Sequence, residues 1–266
     1  MPSAFAIGAH PDDIEFVMGG TLRLLHEAGW QIHYMNLSTG NLGSTTLSPG
    51  ETARVRRGEA RAGAGVLGAV WHPPICNDLE IFYDGRTLRR LCAVIREVAP
   101  SVILTHSPQD YMEDHMNTAR LTVTAAFARG IPGYLTTPRR EAVLSPVTIY
   151  HAMPHGLRDG LRRRILPGAF VDTASVQERK RAALASHASQ RKFLDATQGM
   201  DSFVRTMDEF SRALGKLSRK FRYAEGWRRH SHLGFCDETT DPLRAALGRK
   251  YLINTKYERT LEVASR

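Results

Sequence analysis

The stretch Phe5-Ala6-Ile7-Gly8-Ala9-His10-Pro11-Asp12-Asp13 decides the fold, because a short apolar run leads here directly into three polar side chains. Apolar runs of roughly four to eight residues bounded by turn residues are typical of buried strands. In open α/β sheets, ligands bind in the crevice outside the carboxyl ends of the strands. We therefore expect His10, Asp12 and Asp13 to lie at a functional site, although Pro11 and an Asp pair are also typical of a capped turn.

The composition is that of an ordinary globular chain, since 42% of its 266 residues are hydrophobic and 24% are charged. No Lys or Arg precedes the first apolar run, and no apolar run approaches the roughly 20 residues that a membrane helix needs. The three cysteines are widely separated, which argues against a disulfide framework or a thiolate zinc site. We expect a cytoplasmic protein without a signal peptide or a membrane span.

The formal net charge of +9 raises nucleic acids, anionic lipids and acidic metabolites as partners. Basic clusters such as Arg162-Arg163-Arg164 and Arg179-Lys180-Arg181 lie mostly in the second half of the chain, but aromatic residues are not interleaved among them. A groove for single-stranded nucleic acid would require such stacking partners. We therefore favour a solvated basic face and keep nucleic-acid binding, with its steep salt dependence, as a minor alternative.

Strand patterns and helix patterns alternate along the first part of the chain. We expect strands at residues 4–9, 31–38, 102–106 and 147–151, and helices at residues 19–29, 49–67, 88–98 and 116–129. This alternation predicts an α/β fold with a mostly parallel sheet. Capping boxes at Ser48/Glu51 and Ser175/Glu178 predict two helix starts, and residues 200–222 form an amphipathic helical stretch.

His10 and Asp13 are three residues apart, so a helical turn at Asp12 would let both side chains converge on one ion. A catalytic zinc typically takes three protein ligands, and His115 is the best third candidate because its segment follows the strand that ends at His106. Taken alone, His115 is more typical of a helix start, and the pairing with His10 and Asp13 reverses that preference. Asp12 is then left free as a general base for water that attacks a polarised carbonyl.

Further motifs follow in order along residues 1–190. They are His10-Pro11-Asp12-Asp13, Gly19-Gly20-Thr21-Leu22, Arg56-Arg57-Gly58-Glu59, Asp78-Leu79, Asp110-Tyr111-x-x-Asp114-His115 and His187-Ala188-Ser189-Gln190. Together they resemble the LmbE-like, or PIG-L, family of zinc-dependent N-acetylglucosaminyl deacetylases. We therefore expect a deacetylase domain at residues 1–190 and a C-terminal extension, residues 191–266, packed on the same domain.

The resemblance implies a Rossmann-like fold with helices on both faces of the sheet and a C-terminal helical extension. It implies one Zn²⁺ per chain, or another divalent metal, held by the residues at His10, Asp13 and His115, with Asp12 as the base. The implied reaction is removal of an N-acyl group, most often acetyl, from an amino-sugar conjugate of the N-acetylglucosamine type. A basic surface would suit an anionic conjugate, and the sequence leaves open whether the chain forms a homo-oligomer.

The resemblance also implies substrate contacts, and it exposes one departure. Arg56 and Asp78 match residues of the family's sugar pocket. Many relatives carry a His where this chain has Met112, and that His is thought to stabilise the oxyanion or to protonate the leaving amine. A thioether can do neither.

Three residues are candidates to substitute for the missing histidine. They are Asp110, Tyr111 and His187, of which His187 is the most attractive because a histidine can donate a proton near neutral pH. We also place His187 among the residues that contact substrate. The alternative is a family member that binds a metal or a sugar with weak or no deacetylase activity because of Met112.

Overall fold

The computed structural model of the chain describes residues 1–190 and 203–263. The strands are β1 Ser3–Gly8, β2 Gln31–Asn36, β3 Val70–His72, β4 Val102–Thr105, β5 Thr148–Ala152, β6 Ala169–Asp172, β7 Ala224–Arg229 and β8 Tyr251–Ile253. The helices are α1 Asp13–Val17, α2 Gly19–Glu27, α3 Pro49–Leu67, α4 Gly85–Val98, α5 Glu113–Ala128, α6 Gln177–Ala185, α7 Phe203–Ser218, α8 Pro242–Leu247 and α9 Thr255–Val263. Within these residues the strands form one sheet in the order β3-β2-β1-β4-β5-β7-β6-β8.

The first five strands of this sheet are parallel, which confirms the predicted α/β class and the mostly parallel sheet. The chain moves from β1 to β2 and β3 on one side and then returns to β4 on the other side of β1. The register pairs Ile7 with Thr105, so β1 and β4 end side by side. This reversal of strand order creates the crevice in which α/β proteins bind ligands.

The C-terminal part of the chain completes the same sheet. Strand β7 lies between β5 and β6 and is antiparallel to both, and β8 pairs with β6 at the edge. The predicted helix is present as α7, whereas β6, β7 and β8 were not predicted. The predicted boundary at residue 190 stays a prediction, because residues 191–202 lie outside the described part of the chain.

A buried ion pair attaches β7 to the N-terminal half. Glu225 in β7 accepts hydrogen bonds from the amides of Gly20 at 2.8 Å and Thr21 at 2.7 Å, and its carboxylate lies 2.7 Å from Lys180 Nζ. A Cβ atom at Gly20 would lie 2.5 Å from the Thr173 side chain, so only glycine permits this approach. The extension is therefore joined to the opening helices by a fully buried polar contact.

The two predicted capping boxes have different outcomes. The Ser48/Glu51 box is present at the start of α3. The Ser175/Glu178 box was wrong, because Ser175 Oγ accepts a hydrogen bond from Lys250 Nζ at 2.9 Å and Glu178 pairs with Arg181 instead. Among the described residues, no helix combines the length and the apolar character that a bilayer crossing requires.

Candidate active site

The turn after β1 is fixed by its own polar groups. The amide of His10 donates to Asp13 Oδ2 at 2.7 Å, and Asn36 Nδ2 donates to the His10 carbonyl at 2.6 Å. Asp12 has a φ of 109°, which non-glycine residues rarely adopt. Backbone strain of this kind persists where the surroundings enforce it, and it is common at functional sites.

Three of the predicted site residues form one cluster at the carboxyl ends of β1 and β4. His10, Asp13 and His115 each offer a ligand atom, and these atoms all lie within 4.8 Å of one another. His10 Nδ1 lies 3.4 Å from Asp13 Oδ2, and His115 Nε2 lies 3.4 Å from Asp13 Oδ1. Two imidazoles and one carboxylate are a donor set that suits zinc. These side chains therefore fit a divalent cation.

A carboxylate orients each of these two histidines by contacting the ring nitrogen that faces away from Asp13. His10 Nε2 lies 3.0 Å from Asp114 Oδ2, and His115 Nδ1 lies 3.1 Å from Asp110 Oδ1. Asp110 was a candidate to replace the missing histidine, and the structure shows it already engaged with His115 and with the amide of Met112 at 3.1 Å. Metal-binding histidines commonly have such carboxylate partners, which fix the ring orientation.

His106 also belongs to this cluster, and the sequence analysis did not assign it. Its ring stacks on His115 with 4.1 Å between centroids, and its Nε2 lies 3.1 Å from Asp13 Oδ2. It follows β4 directly, as His10 follows β1. The same strand-end signal could therefore have identified it.

The charges of the cluster favour a cation. Burial alone would lower the pKa of His10, but its hydrogen bonds to Asp114 and Asp13 outweigh burial and raise the pKa to about 9. The pKa of His115 is raised to about 10 for the same reason, since burial opposes the shift and Asp13 and Asp110 drive it. Burial raises the pKa of Asp12 to about 7, against the opposing effect of Arg56.

Arg56 and Asp78 reach the same pocket, and both already have protein partners. The Arg56 guanidinium donates from Nη2 to the Pro11 carbonyl at 2.5 Å and lies 3.5 Å from Asp12 Oδ2. Asp78 accepts from Ser38 Oγ at 2.7 Å and from the Leu42 amide at 3.0 Å. Asp78 therefore holds the loop that follows β2 against the pocket.

His187 does not line the pocket, contrary to the role we predicted for it. Its side chain is fully buried, and Nε2 lies 3.0 Å from Glu15 Oε1, beneath the turn that carries Asp12. Tyr34 donates to the other oxygen of Glu15 at 2.9 Å. The other ring nitrogen, Nδ1, is buried and has no hydrogen-bond partner among the described residues. His187 therefore supports Glu15 beneath the site, and its contact with substrate stays a prediction.

The pocket has a volume of about 390 Å³, and its walls include Tyr111, Met112 and His155. Tyr111 is 55% exposed and packs edge-on against His115. His155, which follows β5 in the short 3₁₀ turn His155–Leu157, was missed by the sequence analysis. Its ring packs on Phe16 with 5.3 Å between centroids, and no described residue hydrogen-bonds to its nitrogens. His155 is the unpaired histidine that this pocket offers.

Comparisons with known proteins place the cluster in a family context. A family model described as PIG-L, GlcNAc-PI de-N-acetylase, matches residues 5–126. The chain is 29% identical over 229 residues to the diacetylchitobiose deacetylase of Thermococcus kodakarensis, and the alignment covers 84% of this chain and 80% of that protein. It is 32% identical over 196 residues to the 4-oxalmesaconate hydratase of Pseudomonas putida, and this alignment covers 71% of this chain and 74% of that protein.

A solved structure is also similar. The 4-carboxy-2-hydroxymuconate hydratase of Pseudomonas putida superposes with a TM-score of 0.74 and 26% sequence identity. The superposition covers 91% of this chain and 99% of that one, so it includes the C-terminal strands. Both a deacetylase and a hydratase are therefore among the proteins to which this chain is similar.

Proposed function

The chain belongs to the PIG-L family, and on that premise we propose that it is a zinc-dependent hydrolase that removes an N-acyl group from an amino-sugar conjugate of the N-acetylglucosamine type. The observation that carries the proposal is the cluster of His10, Asp13 and His115 with the separate carboxylate of Asp12 in the same pocket. Bound Zn²⁺ supplies a Lewis acid that polarises a carbonyl and acidifies water. The net charge of +9 favours an anionic conjugate.

Asp12 is the general base in this proposal. Its carboxylate lines the pocket, and the burial that raises its pKa to about 7 tunes its basicity to neutral pH. Arg56 contacts both the Asp12 side chain and the Pro11 carbonyl, so it holds the base in place. Asp12 takes a proton from the attacking water and can return it to the leaving amine.

His155 supplies the hydrogen bond to the carbonyl oxygen that Met112 cannot make. The residue is exposed to solvent, but desolvation of its ring beside Phe16 and Phe210 lowers the pKa of His155, so the imidazole is neutral at pH 7 and carries one N–H. A neutral imidazole can donate to an oxygen that gains negative charge, as a positioned oxyanion donor does. The aromatic packing fixes the ring, which reduces the cost of orienting the donor.

A second candidate function is hydration of a carbon–carbon double bond. The similarity to the Pseudomonas putida hydratase favours it, and so does Met112, because hydration has no leaving amine to protonate. Against it, Arg56 is the single Lys or Arg among the described residues that line the pocket, and its guanidinium is already engaged. A substrate with several carboxylates would need more cationic partners.

An assay for both products separates the two candidates. Purified protein is incubated with N-acetylglucosamine conjugates and, separately, with an unsaturated hydroxy-tricarboxylate, with and without a chelator and added Zn²⁺. We expect stoichiometric amine and carboxylate from the conjugates, loss of both with the chelator, and recovery with zinc. Loss of diene absorbance without any amine release would contradict the hydrolase and support the hydratase.

A further inference from the structure

The pocket has two chemically different walls. The polar wall consists of Arg56, Asp78 and Gln190, and the apolar wall consists of Phe16, Val17, Met153 and Phe203. Both walls belong to the cavity that contains the metal cluster and Asp12. A substrate held at the cluster therefore meets both.

The polar wall retains two unused polar atoms. Arg56 Nε and Gln190 Oε1 are buried, and neither has a hydrogen-bond partner among the residues that the structure describes. They lie beside the backbone of the loop that follows β2, where a Cβ atom at Gly40 would lie 2.7 Å from Arg56 Nε and one at Gly43 would lie 2.9 Å from Gln190 Oε1. Buried polar atoms require partners, so this wall is suited to a hydroxyl-bearing group of the substrate.

The apolar wall offers hydrocarbon and the weakly polar thioether of Met153. Phe16 packs on Phe203 with 5.7 Å between ring centroids and on Phe210 with 6.0 Å, and these contacts hold the wall in place. Met153 stands at the end of β5 and extends the wall past His155. Sugar hydroxyls would lose hydrogen bonds to water against such a surface, which costs free energy.

The carbonyl carbon of an amide has two substituents, the nitrogen and the acyl chain, and they diverge from it. The nitrogen side of an amino-sugar substrate carries the hydroxyls and matches the polar wall, which leaves the acyl side for the apolar wall. We propose that the apolar wall binds an acyl chain longer than acetyl, so that the substrates are N-acyl amino sugars with a medium-length aliphatic acyl group. This inference rests on the proposed hydrolase and names its substrate class.

The test measures kcat/KM for N-acetyl-, N-butanoyl- and N-hexanoylglucosamine. Full burial of one methylene contributes about fourfold, so the four methylenes added between acetyl and hexanoyl should raise kcat/KM by up to about 250-fold. Phe203→Ala should remove most of this gain, measured as the ratio of the hexanoyl to the acetyl kcat/KM in the same variant. Phe127→Ala, at an exposed phenylalanine outside the pocket, is the matched control and should keep the ratio of the wild type. Met153→Ala is the second variant if circular dichroism shows that Phe203→Ala is unfolded.

Two results would overturn the inference. One is a kcat/KM for the acetyl compound that equals or exceeds that for the hexanoyl compound. The other is a rise in kcat/KM for the hexyl glycoside of N-acetylglucosamine without a rise for the N-hexanoyl compound, because the wall would then bind the aglycone. If no compound releases amine, the proposed function fails, and calorimetric binding still tests the wall. Tighter binding of N-hexanoyl- than N-acetylglucosamine, lost in Phe203→Ala, supports it, whereas equal affinities contradict it.

Discussion

His10 Nε2 lies 3.0 Å from Asp114 Oδ2, so the other ring nitrogen of His10, Nδ1, faces Asp13. Asp114 is held in turn by the amide of Leu79, which donates to the same carboxylate oxygen at 2.7 Å. Asp114 therefore selects the ring orientation in which His10 can bind a metal, without binding it itself.

Asp114→Ala should weaken zinc binding about 10- to 100-fold, because the His10 ring loses its orienting partner. Calorimetric titration of the metal-free protein with Zn²⁺ measures the effect. The exposed neighbour Glu113 gives the matched control, and Glu113→Ala should bind zinc as the wild type does. Equal zinc affinities in the two variants would show that Asp114 does not orient a ligand.

Asp12→Asn should lower kcat about 100- to 10,000-fold while zinc content stays at that of the wild type, because the amide cannot accept the proton from water. Steady-state kinetics and metal analysis of the same preparation provide the two readouts. A loss of less than tenfold with zinc retained would remove Asp12 from the role of base.

His155→Ala should lower kcat about 100- to 1,000-fold with a small change in KM, because one oxyanion donor is lost. His155→Gln keeps an N–H donor and should recover part of the loss. Adding Met112→His to the alanine variant tests the same role from the position where the family usually carries histidine. If His155→Ala keeps wild-type kcat, the carbonyl oxygen has another partner.

Stability should fall in mild acid because of the His33–His72 pair, whose ring nitrogens lie 2.9 Å apart. Burial and, as a smaller effect, the neighbouring His72 lower the pKa of His33 from 6.5 to about 4. Burial also lowers the pKa of His72. Between pH 6.5 and about pH 4 the unfolded chain therefore binds protons that the folded chain does not, so the free energy of unfolding decreases as the pH falls through this range.

Urea unfolding at several pH values measures this loss, and His33→Asn should make the dependence shallower. The same substitution at exposed His26 is the control and should leave the dependence unchanged. An identical slope for His33→Asn and the wild type would assign the acid sensitivity to other groups.

Glu225→Ala should destabilise the whole protein by about 3 to 5 kcal/mol, because it leaves Lys180 buried without its carboxylate partner. A single unfolding transition at lower urea concentration is expected, since Glu225 joins β7 to the Gly20 and Thr21 amides. Two separate transitions would mean that the C-terminal part unfolds by itself.

The sequence predicted four of the five parallel strands, all except β3, and the cluster of His10, Asp13 and His115 for one physical reason. Buried parallel strands are continuous apolar runs, and the polar residues after them, such as His10, gather at one edge of the sheet. His155 follows β5 in the same way, but three residues separate it from the predicted strand end at His151 and no motif marks it. The antiparallel strands β6 and β8 are short, β7 carries charged residues along its length, and the pairing of all three depends on distant partners, as between Val171 and Glu225.

His187 shows the opposite error. Its chemistry suited a proton donor in the pocket, and only tertiary packing reveals that the ring lies beneath the pocket with Nε2 beside Glu15. Side-chain type predicts what a residue can do, whereas its neighbours in the fold determine what it contacts.

Isotope transfer from water tests the central claim most directly. The wild-type protein is incubated with an N-acylglucosamine conjugate in H₂¹⁸O, and the released acid is analysed by mass spectrometry. Water attack on the carbonyl, with Asp12 as base, predicts one ¹⁸O per carboxylate, one amine per acid, and formation of labelled acid about 100- to 10,000-fold more slowly with Asp12→Asn. Labelled hydroxyl in an uncleaved product, with no free amine, would contradict the account.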